Sequence, residues 1–367
     1  MKANEIWRSY GTDYKDMTKR LLEAADLAAL LPPYPARIAV KPNLVSPSPA
    51  QFGSTTHPEV IAGIIEFLQE QGYDDIVVAE GSWVGDKTSE SFECCGYNAL
   101  RERYGITLLD TQKEAPTEMT APAAGSEPVN VCACVKDWDF LINVPVLKGH
   151  CQTRITCALK NLKGIIPNAE KRRFHRMGLH RPIALLNSCV KQDFIVVDHI
   201  CGDLAFEDGG NPVTRNCVMA AADPVLTDAY VCELLGFQTD DVPYIKLAEK
   251  LGCGSADLSA LNLITLEGDP RDDLPGNTPP LDVSDTVEDV DSCSACYAQL
   301  IPAVSRLKEE GLLGCLPGKI CIGQGHRGGN GAIGVGNCTR GFDFWIPGCP
   351  PESDDIYQAL KELAEGD

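Results

Sequence analysis

Residues 37–45 read R-I-A-V-K-P-N-L-V, residues 55–72 read T-T-H-P-E-V-I-A-G-I-I-E-F-L-Q-E-Q-G, and residues 75–81 read D-I-V-V-A-E-G. The first and third segments are short apolar runs of the kind that form buried parallel strands. The middle segment has helical periodicity, with Thr56 as its cap and Gly72 as its stop. Together the three segments predict a unit of strand, helix and parallel strand.

Beyond this unit, predicted strands and helices continue to alternate along the chain. Such alternation predicts an α/β protein with a mostly parallel sheet that is covered by helices on both faces. Residues 269–291 are rich in Asp, Pro and Gly and have little periodicity, which is typical of a linker. The predicted organisation is an α/β domain over residues 1–268, a linker over residues 269–291, and a small cysteine-rich α/β domain over residues 292–367.

The composition limits the classes of partner. The formal net charge of −20 argues against binding to nucleic acid or to an anionic membrane. No apolar run approaches the roughly twenty residues of a membrane-spanning helix, and the first fifteen residues lack the apolar stretch of a secretory signal. We therefore expect a cytoplasmic protein with neither nucleic acid nor a membrane as its partner. A homo-oligomer is compatible with the sequence, which does not determine the oligomeric state.

One segment inverts the acidic balance of the chain. Between Lys148 and Arg181 the sequence contains nine Lys or Arg residues and a single acid, Glu170, so the segment carries a local charge of about +8. This inversion favours a binding site for an anionic small molecule. A solvated basic loop is the alternative interpretation.

The most polar part of that segment is V-P-V-L-K-G-H-C-Q-T-R-I-T-C-A-L-K-N-L-K-G at residues 144–164. A strand is predicted to end at Lys148 and a helix to begin near Thr153. Open α/β sheets bind ligands at the carboxyl ends of strands, often at a helix N-terminus that favours anions. Alternatively, Thr153 merely caps the helix and Lys160 is solvated. The candidate catalytic residues, which would bind or protonate the ligand, are Lys148, His150 and Lys160, and the candidate ligand-binding residues in this segment are Thr153 and Asn161.

Polar residues of two earlier segments are expected at the same edge of the sheet. Lys41 and Asn43 follow a predicted strand, and His57 begins a predicted helix, so all three could meet the loop after Lys148. His57 is alternatively an ordinary residue of a first helical turn. Four acids in and after the later strand F-I-V-V-D-H-I could hold a hard metal ion or balance the basic loop: Asp198, Asp203, Glu207 and Asp208.

Four cysteines of the last domain have surroundings typical of iron–sulfur ligands. They are Cys293 and Cys296 in C-S-A-C, Cys338 in G-N-C, and Cys349 in I-P-G-C-P-P. Four thiolates are enough to hold a [4Fe–4S] cluster, and adjacent glycines let the backbone approach a bulky group. A structural zinc site is the first alternative, because four thiolates also suit tetrahedral zinc, and scattered buried cysteines are the second.

Several motifs in order resemble the domain of unknown function 362 family. They are K-P-N-L, T-T-H-P, L-K-G-H-x-x-T with A-L-K-N-L-K-G, and A-D-P-V-L-T-D-A, and they cover roughly residues 37–268. The resemblance implies the α/β architecture and, because many members carry iron–sulfur cysteines, a cluster. The ferredoxin-type C-x-x-C-x-x-C-x-x-x-C insertion of some members is absent from this sequence. The ending G-C-P-P is instead similar to a cluster ligand of hydrogenase small subunits and of related complex I subunits.

Three functions follow from these observations. The first is a cytosolic [4Fe–4S] protein that transfers electrons or reduces, with an anionic small molecule or a redox partner protein as its acceptor. The second is a non-redox enzyme of the racemase or isomerase kind with a structural cluster. The third is a zinc-stabilised binding protein without chemistry of its own.

Overall fold

The computed structural model describes residues 1–121, 127–150, 152–204, 207, 212–270, 283, 285–290, 292 and 294–366. The chain divides into two compact units. The first comprises Met1–Arg172 and His180–Thr278, and the second comprises Arg173–Leu179 and Pro279–Asp367. Most of the predicted linker at 269–291 lies outside the described residues.

Strands and helices follow one another along the whole chain. The strands are β1 (Glu5–Tyr10), β2 (Ile38–Lys41), β3 (Ile76–Glu80), β4 (Thr107–Asp110), β5 (Pro116–Met119), β6 (Val129–Cys132), β7 (Phe140–Asn143), β8 (Lys148–His150), β9 (Arg154–Thr156), β10 (Phe194–Asp203), β11 (Pro212–Ala221), β12 (Asn262–Glu267), β13 (Val287–Asp289), β14 (Ile320–Ile322), β15 (Ile333–Val335) and β16 (Phe344–Ile346). The helices are α1 (Tyr14–Ala24), α2 (Pro58–Glu70), α3 (Thr88–Cys94), α4 (Tyr97–Tyr104), α5 (Ala158–Asn161), α6 (Asn168–Met177), α7 (His180–Cys189), α8 (Pro224–Leu234), α9 (Pro243–Lys250), α10 (Ser294–Glu309) and α11 (Ser353–Glu365).

An eight-stranded sheet organises the first unit, in the strand order β12-β1-β11-β10-β7-β2-β3-β4. Neighbouring strands are parallel except where β11 pairs with β1 and with β10. The predicted unit of strand, helix and strand consists of β2, α2 and β3, and its strands pair in parallel with Ile38 opposite Ile76. The prediction of an α/β fold with a mostly parallel sheet is confirmed.

Helices α1 and α2 pack against each other beside this sheet. Helix α2 begins at Pro58, because the fixed φ of proline suits a first helical turn and its missing N–H is not needed there. Most apolar side chains of both helices are buried, and Leu21, Ile61 and Ile64 have no exposed surface. Gly63 of α2 lies close to the backbone of α1: a Cβ added to it would be 2.5 Å from the carbonyl oxygen of Lys15.

The second unit has its own parallel sheet, in the order β13-β14-β15-β16. Helices α10 and α11 pack together in this unit, and the Arg306 guanidinium lies 3.6 Å from the centroid of the Tyr357 ring. The predicted small C-terminal α/β domain is therefore present as a separate sheet with its own helices. Across the part of the chain that the structure describes, no helix has the length and apolar character needed to cross a bilayer.

The substitution Gly63→Ala tests the close packing of α1 on α2. Alanine usually stabilises a helix interior by about 1 kcal/mol relative to glycine, but at this position its Cβ would also lie 3.0 Å from the Thr18 Cβ. We expect the free energy of unfolding to fall by ~1–3 kcal/mol, as overpacking typically does, in chemical denaturation. Gly85→Ala is the control, because its Cβ would meet no atom closer than 3.7 Å. A Gly63→Ala variant more stable than the parent protein would contradict this packing.

Candidate functional site

The segment after Lys148 forms a β-hairpin, in which β8 and β9 are antiparallel. The prediction that a helix begins near Thr153 is wrong, since the first helical residue is Ala158. The physical reason is a side chain that competes with the helix for backbone donors: His150 Nδ1 accepts the N–H groups of Gln152 and Thr153, both at 3.0 Å. Thr153 Oγ1 donates to the carbonyl oxygen of Ile155 at 3.1 Å, so its hydroxyl is engaged within the turn.

The hairpin and α5 surround the carboxylate of Glu207. His150 Nε2 lies 2.7 Å from Glu207 Oε2, and Lys160 Nζ forms a hydrogen-bonded ion pair with Oε1. Lys148 Nζ donates to the backbone carbonyl oxygen of Glu207 at 2.8 Å and to that of Ser54 at 2.7 Å. We call Lys148, His150, Lys160 and Glu207 the carboxylate cage. The structure thus brings the three candidate catalytic residues together around one acid of the predicted set.

Burial determines the charge of His150, and cationic neighbours determine that of Glu207. Burial lowers the pKa of His150 to about 4, although Glu207 favours the charged form, so the ring is neutral at pH 7. Because Nδ1 accepts two backbone N–H groups, the ring proton lies on Nε2, beside the carboxylate. Burial alone would raise the pKa of Glu207, but His150, which is charged at the acidic pH where Glu207 titrates, and Lys160 outweigh burial and hold that pKa well below its usual range.

Lys163 adds a second titratable cation next to the cage. Burial, followed by repulsion from Lys160, lowers the pKa of Lys163 to about 7. Its Nζ also lies 5.9 Å from the centroid of the Trp83 ring, within reach of a cation–π interaction. The charge of this side chain therefore changes near neutral pH. Sequence reasoning placed Lys163 in the basic segment but did not single it out.

A chain of buried amides holds Asn43 and Asn161 beside the cage. Asn43 Nδ2 donates to Asn161 Oδ1 at 2.9 Å, and Asn161 Nδ2 donates to Asn143 Oδ1 at 2.7 Å. Asn143 is paired with Lys41 at the carboxyl ends of β7 and β2. Lys148 Nζ lies 3.4 Å from Asn43 Oδ1. Each amide acts as both donor and acceptor, which fixes the orientation of Asn43 and Asn161.

Lys41 is buried at the same edge of the sheet but has a different acid. Its Nζ forms an ion pair with Glu80 and donates to the carbonyl oxygen of Pro42 at 2.8 Å. Gly164 makes room for this pair, because a Cβ there would lie 2.1 Å from Glu80 Oε1 and 2.6 Å from Lys41 Nζ. Glu80 was not among the predicted site residues, although it ends the strand of the D-I-V-V-A-E-G segment.

A cavity of about 50 Å³ is bordered by both groups of charges. Its walls include Glu80, Lys160, Lys163, Lys171 and Glu207. Lys171 Nζ donates to two backbone carbonyl oxygens at 2.8 Å, and burial lowers the pKa of this lysine to about 8. One water molecule needs roughly 10–15 Å³ of such volume. The cavity therefore accommodates a few water molecules while Glu207 remains in place.

His57 lies in a separate cleft of about 480 Å³, whose walls include Tyr14 and Cys201. Its Nδ1 is 2.8 Å from Asp198 Oδ2, which also accepts the His57 backbone N–H at 2.7 Å. Burial acts to lower the pKa of His57, but the Asp198 carboxylate outweighs burial and raises it. The structure does not bring His57 to the cage. Asp208, another predicted acid, lies outside the described residues.

Asp228 positions α5 and was missed by sequence reasoning. Its buried carboxylate accepts the backbone N–H groups of Ala158 at 2.7 Å and of Leu159 at 3.1 Å. These are donors of the first turn of α5, which carries Lys160 and Asn161. Burial raises the pKa of Asp228 to about 7, against the effect of these hydrogen bonds. The sequence signal that could have identified Asp228 is the second acid of the motif A-D-P-V-L-T-D-A. This motif lies far along the chain from the helix that Asp228 caps.

Of the four candidate metal ligands in the second unit, the structure describes Cys296, Cys338 and Cys349, while Cys293 lies outside the described residues. The segments of Cys338 and Cys349 are joined by hydrogen bonds, since Asn337 N donates to the Gly348 carbonyl oxygen at 2.8 Å. Cys296 Sγ would lie 3.5 Å from a Cβ added to Gly336. The described cysteines of the set therefore belong to segments that pack against one another.

Fold and site define an α/β protein with a buried, lysine-rich pocket at the carboxyl edge of its sheet. Residues 38–233, more than half of the chain, match the family described as Domain of unknown function (DUF362), and the chain belongs to this family. It is 25% identical over 234 residues to a thylakoid-associated protein of Synechocystis sp., which corresponds to 59% of this chain and 68% of that protein.

Two solved structures are also similar to the chain. The lactate racemase apoprotein from Thermoanaerobacterium thermosaccharolyticum matches with a TM-score of 0.41 and 15% identity, over 62% of this chain and 56% of that one. A protein from Thermotoga maritima matches with a TM-score of 0.35 and 16% identity, over 51% of each chain. The chain thus spans little more than half the length of these proteins.

The substitution Asp228→Asn tests how α5 is held. Above pH 7 the carboxylate is ionised and accepts two N–H groups, whereas the amide offers a single oxygen and adds a buried donor. We expect the free energy of unfolding to fall by ~1–3 kcal/mol, the cost of unsatisfied buried groups, in denaturation at pH 8. Asp240→Asn, at an exposed position, is the control. Equal stability of both variants would show that α5 does not depend on Asp228.

Proposed function

We propose that the chain is an iron–sulfur protein that transfers electrons to, or reduces, a small anionic molecule. In this proposal Cys293, Cys296, Cys338 and Cys349 hold a [4Fe–4S] cluster, and the carboxylate cage binds the anion. The ligand class is a carboxylate or another small oxyanion. A redox partner protein remains the alternative acceptor, and a cytoplasmic location remains our prediction.

The observation that carries the proposal is the position of the Glu207 carboxylate. One of its oxygens is beside His150 Nε2 and the other is bound by Lys160 Nζ. A neutral N–H group and an ammonium group, both buried, are the pair of donors that a ligand carboxylate would require. Glu207 thus marks the place where an external anion would bind.

The lysines beside the cage also supply a route for a proton. Lys163, with a pKa of about 7, exists in both protonation states near neutral pH, as a general acid or base should. Lys160 can hold the anion while Lys163 donates or accepts the proton. This division of roles uses only side chains that border the same cavity.

The surroundings of the cysteines fit a cluster. Gly336, whose φ of 86° favours glycine, lies beside Cys296 Sγ, and Arg327 Nε donates to Cys338 Sγ at 3.4 Å. When bound, a [4Fe–4S] cluster supplies one-electron transfer. A structural cluster in a racemase-like enzyme and a zinc-stabilised binding protein are the competing functions.

The substitution Cys349→Ser tests the ligand set. We expect anaerobically purified parent protein to contain about four irons and four sulfides per chain, and the variant to lose or convert the cluster while the first unit stays folded. Iron, sulfide and zinc analysis with visible spectroscopy measures this. Cys315→Ser, an exposed cysteine of the same unit, is the control. A full complement of iron in the Cys349→Ser variant would refute the ligand set, and zinc without iron would favour the zinc-stabilised protein.

Sulfate, whose charge is constant between pH 6 and 8, tests the cage by titration calorimetry. Removing one buried charge-assisted hydrogen bond costs ~1.5–3 kcal/mol, so Lys160→Ala should weaken sulfate binding about tenfold or more. Glu207→Gln should strengthen it, because the competing carboxylate is removed. Binding should also weaken as the pH rises through 7, since Lys163 then loses its proton.

Lys191→Ala, at an exposed lysine of the same unit, is the matched control for the sulfate experiment and should bind as the parent protein does. Iron content should be the same in all these variants. If neither Lys160→Ala nor Glu207→Gln changes the affinity, the cage is not the anion site.

A further inference from the structure

A second group of potential metal ligands lies in the second unit and shares no residue with the four-cysteine set. Glu288, Cys321 and His326 each place one ligand atom within 4.8 Å of those of the other two. Glu288 on β13 and Cys321 on β14 are directly paired in the parallel sheet. His326 ends the short 3₁₀ turn Gln324–His326 that follows β14. Three segments of the chain therefore converge on one point.

Two glycines make this convergence possible. Gly323 has a φ of 121°, and a Cβ there would lie 2.1 Å from the carbonyl oxygen of Val290. Gly325 N donates to the same oxygen at 2.9 Å. The turn after β14 is thereby fixed against the end of β13. This contact returns the imidazole of His326 to the strand that carries Glu288.

The orientation of the His326 ring is also fixed. Its edge packs on the ring of Phe342, with centroids 5.7 Å apart and an interplanar angle of 87°. Phe342 can approach because Gly331 has no side chain: a Cβ there would lie 2.4 Å from the Phe342 ring. His326 Nε2 lies 3.3 Å from the Glu288 carbonyl oxygen. Histidines that bind metals commonly donate their other ring N–H to such an oxygen, which leaves Nδ1 for the metal.

We propose that Glu288, Cys321 and His326 bind a divalent cation of the zinc class. One thiolate, one imidazole and one carboxylate match the ligand preferences of Zn²⁺ and disfavour Mg²⁺ and Ca²⁺, which take oxygen ligands. Three protein ligands leave the fourth tetrahedral position for a water molecule or an exchangeable ligand, as in catalytic zinc sites. Metal binding replaces the thiol proton of Cys321. In the structure the Cys321 thiol donates to the Lys319 carbonyl oxygen, with Sγ 3.8 Å from that oxygen.

Titration of the full-length, anaerobically purified protein with Co²⁺ tests this site. Co²⁺ reports a thiolate ligand through a charge-transfer absorption and tetrahedral geometry through its visible bands, and Zn²⁺ should displace it. We expect Cys321→Ser to abolish the charge-transfer band and His326→Gln to weaken Co²⁺ binding by at least the roughly 10–100-fold that the loss of an outer-shell partner of a metal ligand costs. Cys315→Ser is the matched control, since Cys315 is exposed in the same unit, and it should leave the titration unchanged.

Cys349→Ser distinguishes this site from the four-cysteine set. If Cys349→Ser removes the Co²⁺ signal and Cys321→Ser does not, the metal binds the four-cysteine set and the proposal is overturned. Absence of a thiolate-linked Co²⁺ signal in the parent protein would overturn it as well. If Cys321→Ser fails to fold, as judged by circular dichroism, Glu288→Gln and His326→Gln decide the question, because unchanged Co²⁺ affinity in both would reject the site.

Discussion

The first unit depends on the pairing of ammonium groups that are buried at the carboxyl edge of the large sheet. Lys41, Lys148, Lys160 and Lys171 are almost completely buried, and a buried charge without partners costs several kcal/mol. Lys41 and Lys160 have carboxylate partners, whereas Lys148 and Lys171 donate to backbone carbonyl oxygens. A carbonyl oxygen satisfies the donor without cancelling its charge, so the edge keeps a field that favours anions.

The fold could be predicted where the signals are local. The apolar runs of β2 and β3 and the helical periodicity of α2 lie within about forty residues of one another, and the structure has these three elements as predicted, although His57 and not Thr56 is the N-cap residue of α2. The helix predicted to begin near Thr153 is a β-hairpin instead, because the His150 ring accepts the N–H groups that a helix would have used. Sequence patterns describe side-chain periodicity, and a single side chain that accepts backbone donors leaves no trace in that periodicity.

The site could be predicted in part, for a related reason. The edge of a parallel sheet gathers polar residues, and Asn43, Lys148 and Asn161 are close together there. The partners that set their charge and orientation come from distant segments: Asp228 is 70 residues from the α5 backbone it binds. The direction in which a side chain points depends on such partners. His57 is an example, because its contact with Asp198 holds it in another cleft.

If the carboxylate cage binds an anion as proposed, its contacts also limit the kind of ligand that can bind there. An external anion at this position must replace the Glu207 carboxylate. Its apparent binding free energy is therefore the difference between the free energies of two similar sets of contacts. Exchange of one carboxylate for another preserves both the charge balance and the contacts of Lys160 and His150. A more highly charged anion would need further positive charge, which Lys163 supplies only when protonated. In the proposed function, the protonation state of Lys163 would thereby select between singly and multiply charged ligands.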